Sequence, residues 1–200
     1  MEFGYKEESK GLFAVIIREW PILLIEVIVA IVLGYLITSH GLEKTEISGN
    51  SMSPILQDGD NILVNKMSYK LFSPSRNDVI VFRQEGQEHN FYSVKRVVGL
   101  PGETVQIMDG ILYINDKPFE ETNKVDKMIT AGVAEEKITL EKGEYFVLGD
   151  NRNQSEDSRY SSVGMITKKQ IVGKAWIRLK PSFDFISWLK YQGEEEKEEV

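Results

Sequence analysis

The chain has 200 residues, 42% of them hydrophobic and 28% charged, a balance that excludes a disordered polymer and suffices for one sizeable core plus a membrane anchor. The net charge is −7 and no nucleic-acid recognition motif is present, so no nucleic-acid partner is expected. Cysteine is absent, which excludes disulfides, zinc ribbons and thiol catalysis, and the two histidines, His40 and His89, suit neither a Ser-His-Asp triad nor a metal site.

Residues 20–38 form an apolar run that meets the length of about 20 residues needed to cross a bilayer. Glu26 opposes that reading, since a carboxylate near the bilayer centre costs on the order of 3 kcal/mol. It lies near the Trp20 end, where it can reach the interface or be protonated. Trp20 and Tyr35 suit the two interfaces. A buried core helix is the competing reading. No small-x-small cleavage pattern follows the run, which argues against a removed leader. Lys6, Lys10 and Arg18 precede the run and favour an inside N-terminus. The expected order is a cytoplasmic segment at 1–19, a single-pass anchor at 20–38 and an extracytoplasmic β-rich domain at 41–190. An acidic, solvated tail at 191–200 completes it.

The next block is Ser48-Gly49-Asn50-Ser51-Met52-Ser53-Pro54. It is small and polar, and its proline cannot continue a helix. It is a turn, and one able to present Ser51 to a substrate. Short runs rich in β-branched and aromatic residues follow at 61–64, 79–82, 91–98, 104–108, 111–114, 145–148 and 171–179. Asp109-Gly110 between two of them is a two-residue hairpin signal. The fold class expected is mainly β, a coiled antiparallel sheet domain behind one transmembrane helix. Leu71 and Phe72 read as core residues, with contact to the bilayer as the alternative. Residues 115–144 carry 13 charged residues in 30 and read as a surface excursion, partly ordered at most.

Strand alternation over 91–98 places Lys95 on the face of Phe91, Ser93 and Val97, and Arg96 on the opposite one with Tyr92 and Val94. A lysine among apolar neighbours loses its charge more readily, and a neutral amine can take a proton from a serine hydroxyl. A lysine snorkelling at a strand edge is the plainer reading. Residues 149–159 form a polar loop after the strand at 145–148, suited to Asx turns and local ion pairs or to orienting a lysine.

Three ordered blocks, Ser51-Met52-Ser53-Pro54, Lys95-Arg96-Val97-Val98-Gly99-Leu100-Pro101-Gly102-Glu103 and Gly149-Asp150-Asn151-Arg152 with Ser155, Asp157, Ser158 and Arg159, resemble the boxes of bacterial type I signal peptidase. The similarity runs from the anchor to about Lys180, and the single anchor resembles the Gram-positive type. The resemblance implies a membrane-bound Ser/Lys endopeptidase that needs no cofactor or metal. It makes Ser51 the nucleophile, Lys95 the general base and Ser155 the hydroxyl orienting the Lys95 amine. It pairs Asp150 with Arg96 and Asp157 with Arg159. It puts the Ser51 N–H in the oxyanion hole, with Gly49 where some members carry a serine. Ile55 stands where threonine is usual. The implied partners are the lipid bilayer and secretory preproteins with small residues before the cut. Two other readings stay open: a tethered β-domain that binds peptides without cutting them, and a penicillin-binding type of enzyme built on Ser187 and Lys190. The second lacks its companion Ser-Asp-Asn and Lys-Thr-Gly motifs. Self-cleaving repressors share the Ser/Lys chemistry, but no DNA-binding region precedes the catalytic blocks.

Overall fold

The computed structural model describes residues 8–84, 92–121 and 125–189. His89, Phe91, Lys190 and the acidic tail lie outside them. The chain forms two units, Met1–Gly41 and Leu42–Val200.

The first unit is one helix, α1 (Glu8–Gly41), with Pro21 inside it. It is longer at both ends than the expected 20–38. Its side chains from Trp20 to Tyr35 are exposed, Trp20 at 63%, Ile31 at 65% and Tyr35 at 69%. Among the described residues no helix is long and apolar enough to cross a membrane.

The second unit is antiparallel β throughout. Its elements are β1 (Leu42–Glu46), β2 (Asn61–Asn65), a single turn α2 (Ser68–Leu71), β3 (Val79–Arg83), β4 (Tyr92–Gly99), β5 (Thr104–Met108), β6 (Ile111–Ile114), β7 (Lys117–Pro118), β8 (Ile138–Thr139), β9 (Glu144–Leu148), β10 (Ile166–Thr167), β11 (Ile171–Lys180) and β12 (Asp184–Phe185). The large sheet runs β1-β2-β11-β3-β4-β9-β10, with β12 also on β11; the small sheet runs β7-β6-β5-β8. The mainly β reading therefore holds, and each expected strand is present within a residue or two. β1 was not expected. Its Leu-Glu-Lys-Thr-Glu sequence lacks apolar alternation, because it is an edge strand on which charge is tolerated. The Asp109-Gly110 hairpin forms as expected, with φ of 51° and 76° at the two turn residues.

β3 explains the core. Its Val79 and Val81 pack on one face, with Met52, Ile55, Leu56 and Ile62, while Ile80 and Phe82 pack on the other, with Val97 and Val147. A strand buried on both faces reads as a continuous apolar run, as 79–82 does. A further cluster joins Val98, Phe146 and Leu148 of the large sheet to Val105 and Leu112 of the small one.

Two expectations change. Leu71 and Phe72 are exposed, at 71% and 70%, and Tyr69 is the residue of that turn that is buried. A four-residue helix has one inward position, and Tyr69 takes it. The stretch read as an excursion contributes Met128, Ala134 and Leu140 to the core and pairs through β8 with β5. Its apolar residues are sparse and lie in separate short segments, so local composition understates its order.

Candidate active site

The turn at 48–54 is held from below by Met52, Ile55 and Leu56, all buried. Gly49 has φ +89°, a left-handed conformation that favours glycine, and its N–H donates to Asp58 Oδ1 at 2.7 Å. The Ser53 N–H closes the turn on the Asn50 carbonyl at 3.1 Å, and the Leu56 N–H donates to the Met52 carbonyl at 2.9 Å. Ser51 is left half-buried at the tip.

Lys95 lies on β4 opposite Ile80 of β3, on the face that Val97 also occupies. Its side chain is 6% exposed, and its Nζ lies 2.8 Å from Ser51 Oγ, within hydrogen-bond reach. The two residues are 44 positions apart in sequence; the fold alone brings them together. Burial pushes the Lys95 amine below its ordinary value of 10.5, against the opposing pull of the Asp157 and Glu156 carboxylates. When the amine is neutral, the Ser51 hydroxyl can donate to its lone pair, the arrangement a general base requires.

Arg96 points to the other face of β4. It makes a two-pronged contact with Asp150, Nε to Oδ1 at 2.7 Å and Nη2 to Oδ2 at 2.6 Å, and its Nη1 donates to the Asn77 carbonyl at 2.9 Å. Asp157 and Arg159 pair likewise at 2.8 and 3.0 Å, with Asp157 fully buried. Asp157 Oδ2 also accepts the Gly149 N–H at 3.1 Å. Arg159 reaches the Thr130 carbonyl at 3.1 Å and the Arg152 carbonyl, and Arg152 Nη1 meets Glu121 at 2.5 Å. The polar loop is thus a network of paired, buried charges, each satisfied by several bonds. Both charge pairs that the resemblance implies are formed.

Ser155 is buried beside the site, but it is not bonded to Lys95. Its Oγ has no hydrogen-bond partner among the described residues. It lies against Gly149: a side chain there would come within 2.2 Å of Ser155 Oγ and 2.4 Å of the Ser51 carbonyl oxygen. The absence of a Cβ at Gly149 is what lets this loop approach the Ser51 turn. Gly49 faces Asp58, to which its N–H donates at 2.7 Å. The Ser51 N–H makes no hydrogen bond among the described residues.

Two contributors were not foreseen. Asp58 fixes Gly49, and nothing in its sequence context distinguishes it. Asn151 donates its backbone N–H to the Ser51 carbonyl at 3.1 Å and its Nδ2 to the Asn50 carbonyl at 3.2 Å. Its place in Gly-Asp-Asn-Arg, within a loop of short hydrogen-bonding side chains, was the available signal.

A cleft of about 70 Å³ opens at the pair, between residues 45–48 and 92–95, with Ser51 and Met52 completing its wall. β1 is an edge strand, and β4 pairs with β9 only from Arg96 onward. Backbone on both sides of the cleft is therefore open to a further strand. A larger hollow of about 720 Å³ on the small sheet, between residues 107–110 and 128–132, shares no residue with the cleft and has no lysine in its wall.

The family model described as "Signal peptidase, peptidase S26" matches residues 18–180. The chain is 38% identical to signal peptidase I of Bacillus licheniformis over 154 residues, covering 74% of this chain and 81% of that one. It is 36% identical to signal peptidase I T of Bacillus subtilis strain 168, covering 74% and 78%. It is 34% identical to signal peptidase IB of Staphylococcus aureus strain COL, covering 84% and 92%.

Proposed function

The chain belongs to the signal peptidase (peptidase S26) family, and we propose that Ser51 and Lys95 carry its catalysis. The activity is that of signal peptidase I: a serine endopeptidase that removes signal peptides, acting on secretory preproteins. The observation that supports the assignment of residues is the 2.8 Å approach of a buried lysine amine to the half-buried Ser51 hydroxyl.

Neutral Lys95 takes the Ser51 proton as Oγ attacks the scissile carbonyl, and the carbonyl electron pair moves to oxygen. The Ser51 N–H stabilises that oxyanion; losing one such donor costs about 2.7–4 kcal/mol in other serine proteases. The Lys95 ammonium then protonates the leaving amine as the intermediate collapses and the C–N bond breaks. The Lys95 amine, neutral again, takes a proton from water as its oxygen attacks the acyl carbon, and returns that proton to Ser51 Oγ as the C–Oγ bond breaks. Asp150 and Asp157 hold Arg96 and Arg159, which fixes the loop around the pair. Ser155 is buried beside the site with no hydrogen-bond partner for its hydroxyl among the described residues, and it would orient the Lys95 amine only by turning Oγ to bond it.

The substrate's cleavage segment adds as a strand between residues 45–48 and 92–95, where backbone is open on both sides. The cleft has room for about two waters' share of liquid volume, which fits small side chains before the cut. The helix α1 anchors the chain in a single pass with its N-terminus inside, and residues 41–190 work outside as the peptidase domain. Its 34 residues reach about 51 Å at 1.5 Å per residue, beyond the ~30 Å hydrocarbon core. Its uniformly exposed apolar side chains at 20–35, broken only by Glu26, support that role.

The test is cleavage of one preprotein by the full-length protein. Ser51→Ala and Lys95→Ala should each lower the rate by roughly a thousandfold or more, as loss of a nucleophile or its base does elsewhere. A Ser51→Ala protein that still cuts would remove Ser51 as the nucleophile, and one that keeps its cellular role without cutting would replace this reading with that of a peptide-binding domain.

A further inference from the structure

The two carbonyl groups that flank the Ser51 residue, those of Asn50 and Ser51, are both held by one residue from the other side of the sequence. Asn151 gives its side-chain Nδ2 to the Asn50 carbonyl at 3.2 Å and its backbone N–H to the Ser51 carbonyl at 3.1 Å. Its amide is steadied in turn by Gln154 Oε1 at 3.3 Å. Gly149 admits this approach, since any side chain there would strike the Ser51 carbonyl oxygen at 2.4 Å. Asn50 also accepts the Ser53 N–H at 3.1 Å, so its carbonyl is fixed from two directions.

A peptide unit is planar and trans, with its C=O and N–H pointing in opposite directions. The Asn50 carbonyl belongs to the same plane as the Ser51 N–H. Drawing the carbonyl to Asn151 therefore aims the Ser51 N–H away from Asn151, on the side opposite the polar loop. We propose that Asn151 is a positioning residue for the oxyanion donor: it sets the tilt of the Asn50–Ser51 peptide and thereby the direction of the Ser51 N–H. This rests on the reading of Ser51 as nucleophile. It assigns Asn151 a role distinct from Lys95 and Ser155, because it acts on the developing charge of the substrate and not on the proton.

Stabilisation of an oxyanion depends on donors held at the place where charge appears, with no reorganisation during reaction. Releasing the peptide plane keeps the donor but lets it wander. The loss is then smaller than for removing a donor outright, which costs 10²–10³ in kcat in other serine proteases.

The experiment compares the full-length parent with Asn151→Ala and Asn151→Ser in steady-state cleavage of a signal-peptide substrate. A peptide aldehyde with the same residues before its carbonyl is titrated in parallel. That aldehyde forms a hemiacetal: the Ser51 Oγ–C bond is made, the carbonyl π pair goes to oxygen, and the hydroxyl proton is taken up by Lys95. We expect kcat to fall by about tenfold to a hundredfold, with KM within about twofold. Aldehyde affinity should fall in step with kcat, and the ascending limb of the pH profile, which reports Lys95, should stay where it is. Folding is checked by thermal melting; the serine variant keeps a small polar residue in the loop if the alanine variant does not fold. A folded variant with kcat within twofold of the parent overturns the proposal. So does a loss of kcat with unchanged aldehyde affinity and a displaced pH limb, which would make Asn151 a partner of Lys95. Ser51→Ala run alongside separates the two levels: turnover in that variant removes the nucleophile itself, whereas an inactive Ser51→Ala with fully active Asn151 variants removes only the role of Asn151.

Discussion

Lys95 experiences two opposed effects. Burial strips water from its amine and lowers its proton affinity, while the carboxylates of Asp157 and Glu156 raise it. Burial is the larger. Asp157 is itself paired with Arg159, which blunts its hold on the lysine. The consequence for activity has a definite sign. If Lys95 is the base, as proposed, the neutral amine is the active form, so the active fraction grows as pH rises through the lowered value, and the rate rises with it. The Ser155 hydroxyl is buried without a hydrogen-bond partner among the described residues, a state that native structures seldom leave unexplained.

At the scale of elements, β4 does two jobs with adjacent residues. Period-two geometry sends Lys95 toward Ser51 and Arg96 toward Asp150, so one strand carries the proposed base and is itself clamped by the polar loop. Breaking the clamp from the loop side leaves the Arg96 charge buried and uncompensated. Asp150→Ala should destabilise the fold by about 3–5 kcal/mol, to be read from the denaturant midpoint of the parent and variant; a shift of only a few tenths of a kcal/mol would show that the pair contributes little. Such strands were legible in the sequence because their apolar and β-branched runs mirror the burial of 79–82 and 94–98. The three chemical blocks were visible as short contiguous stretches, but their joint chemical meaning came from the family resemblance, since each stretch alone also reads as an ordinary turn, strand or polar loop. β1 and Asp58 were not legible. An edge strand is specified by its partner β2 rather than by its own alternation, and Asp58 acts through a contact with Gly49 nine residues away. Met128, Ala134 and Leu140 stayed hidden because isolated apolar residues in a charged segment give no period to read. Leu71 and Phe72 misled in the other direction: large apolar residues are often inside, but a short turn buries only one of its members.

For the whole molecule, the anchoring role proposed for α1 would decide where the chemistry happens, since a chain tethered through it would meet membrane-borne preproteins in two dimensions. Carbonate extraction of cells expressing the full-length protein should leave it in the membrane pellet, and a truncation beginning at Leu42 should appear in the supernatant. Release of the full-length chain would remove the anchor from the account. The central claim, a buried lysine that works uncharged on a neighbouring serine, is tested most directly by the pH dependence of kcat/KM for signal-peptide cleavage, which reports the free enzyme's base. The account predicts an ascending limb centred clearly below 10.5, the ordinary value for lysine; a limb centred at or above that value would contradict it.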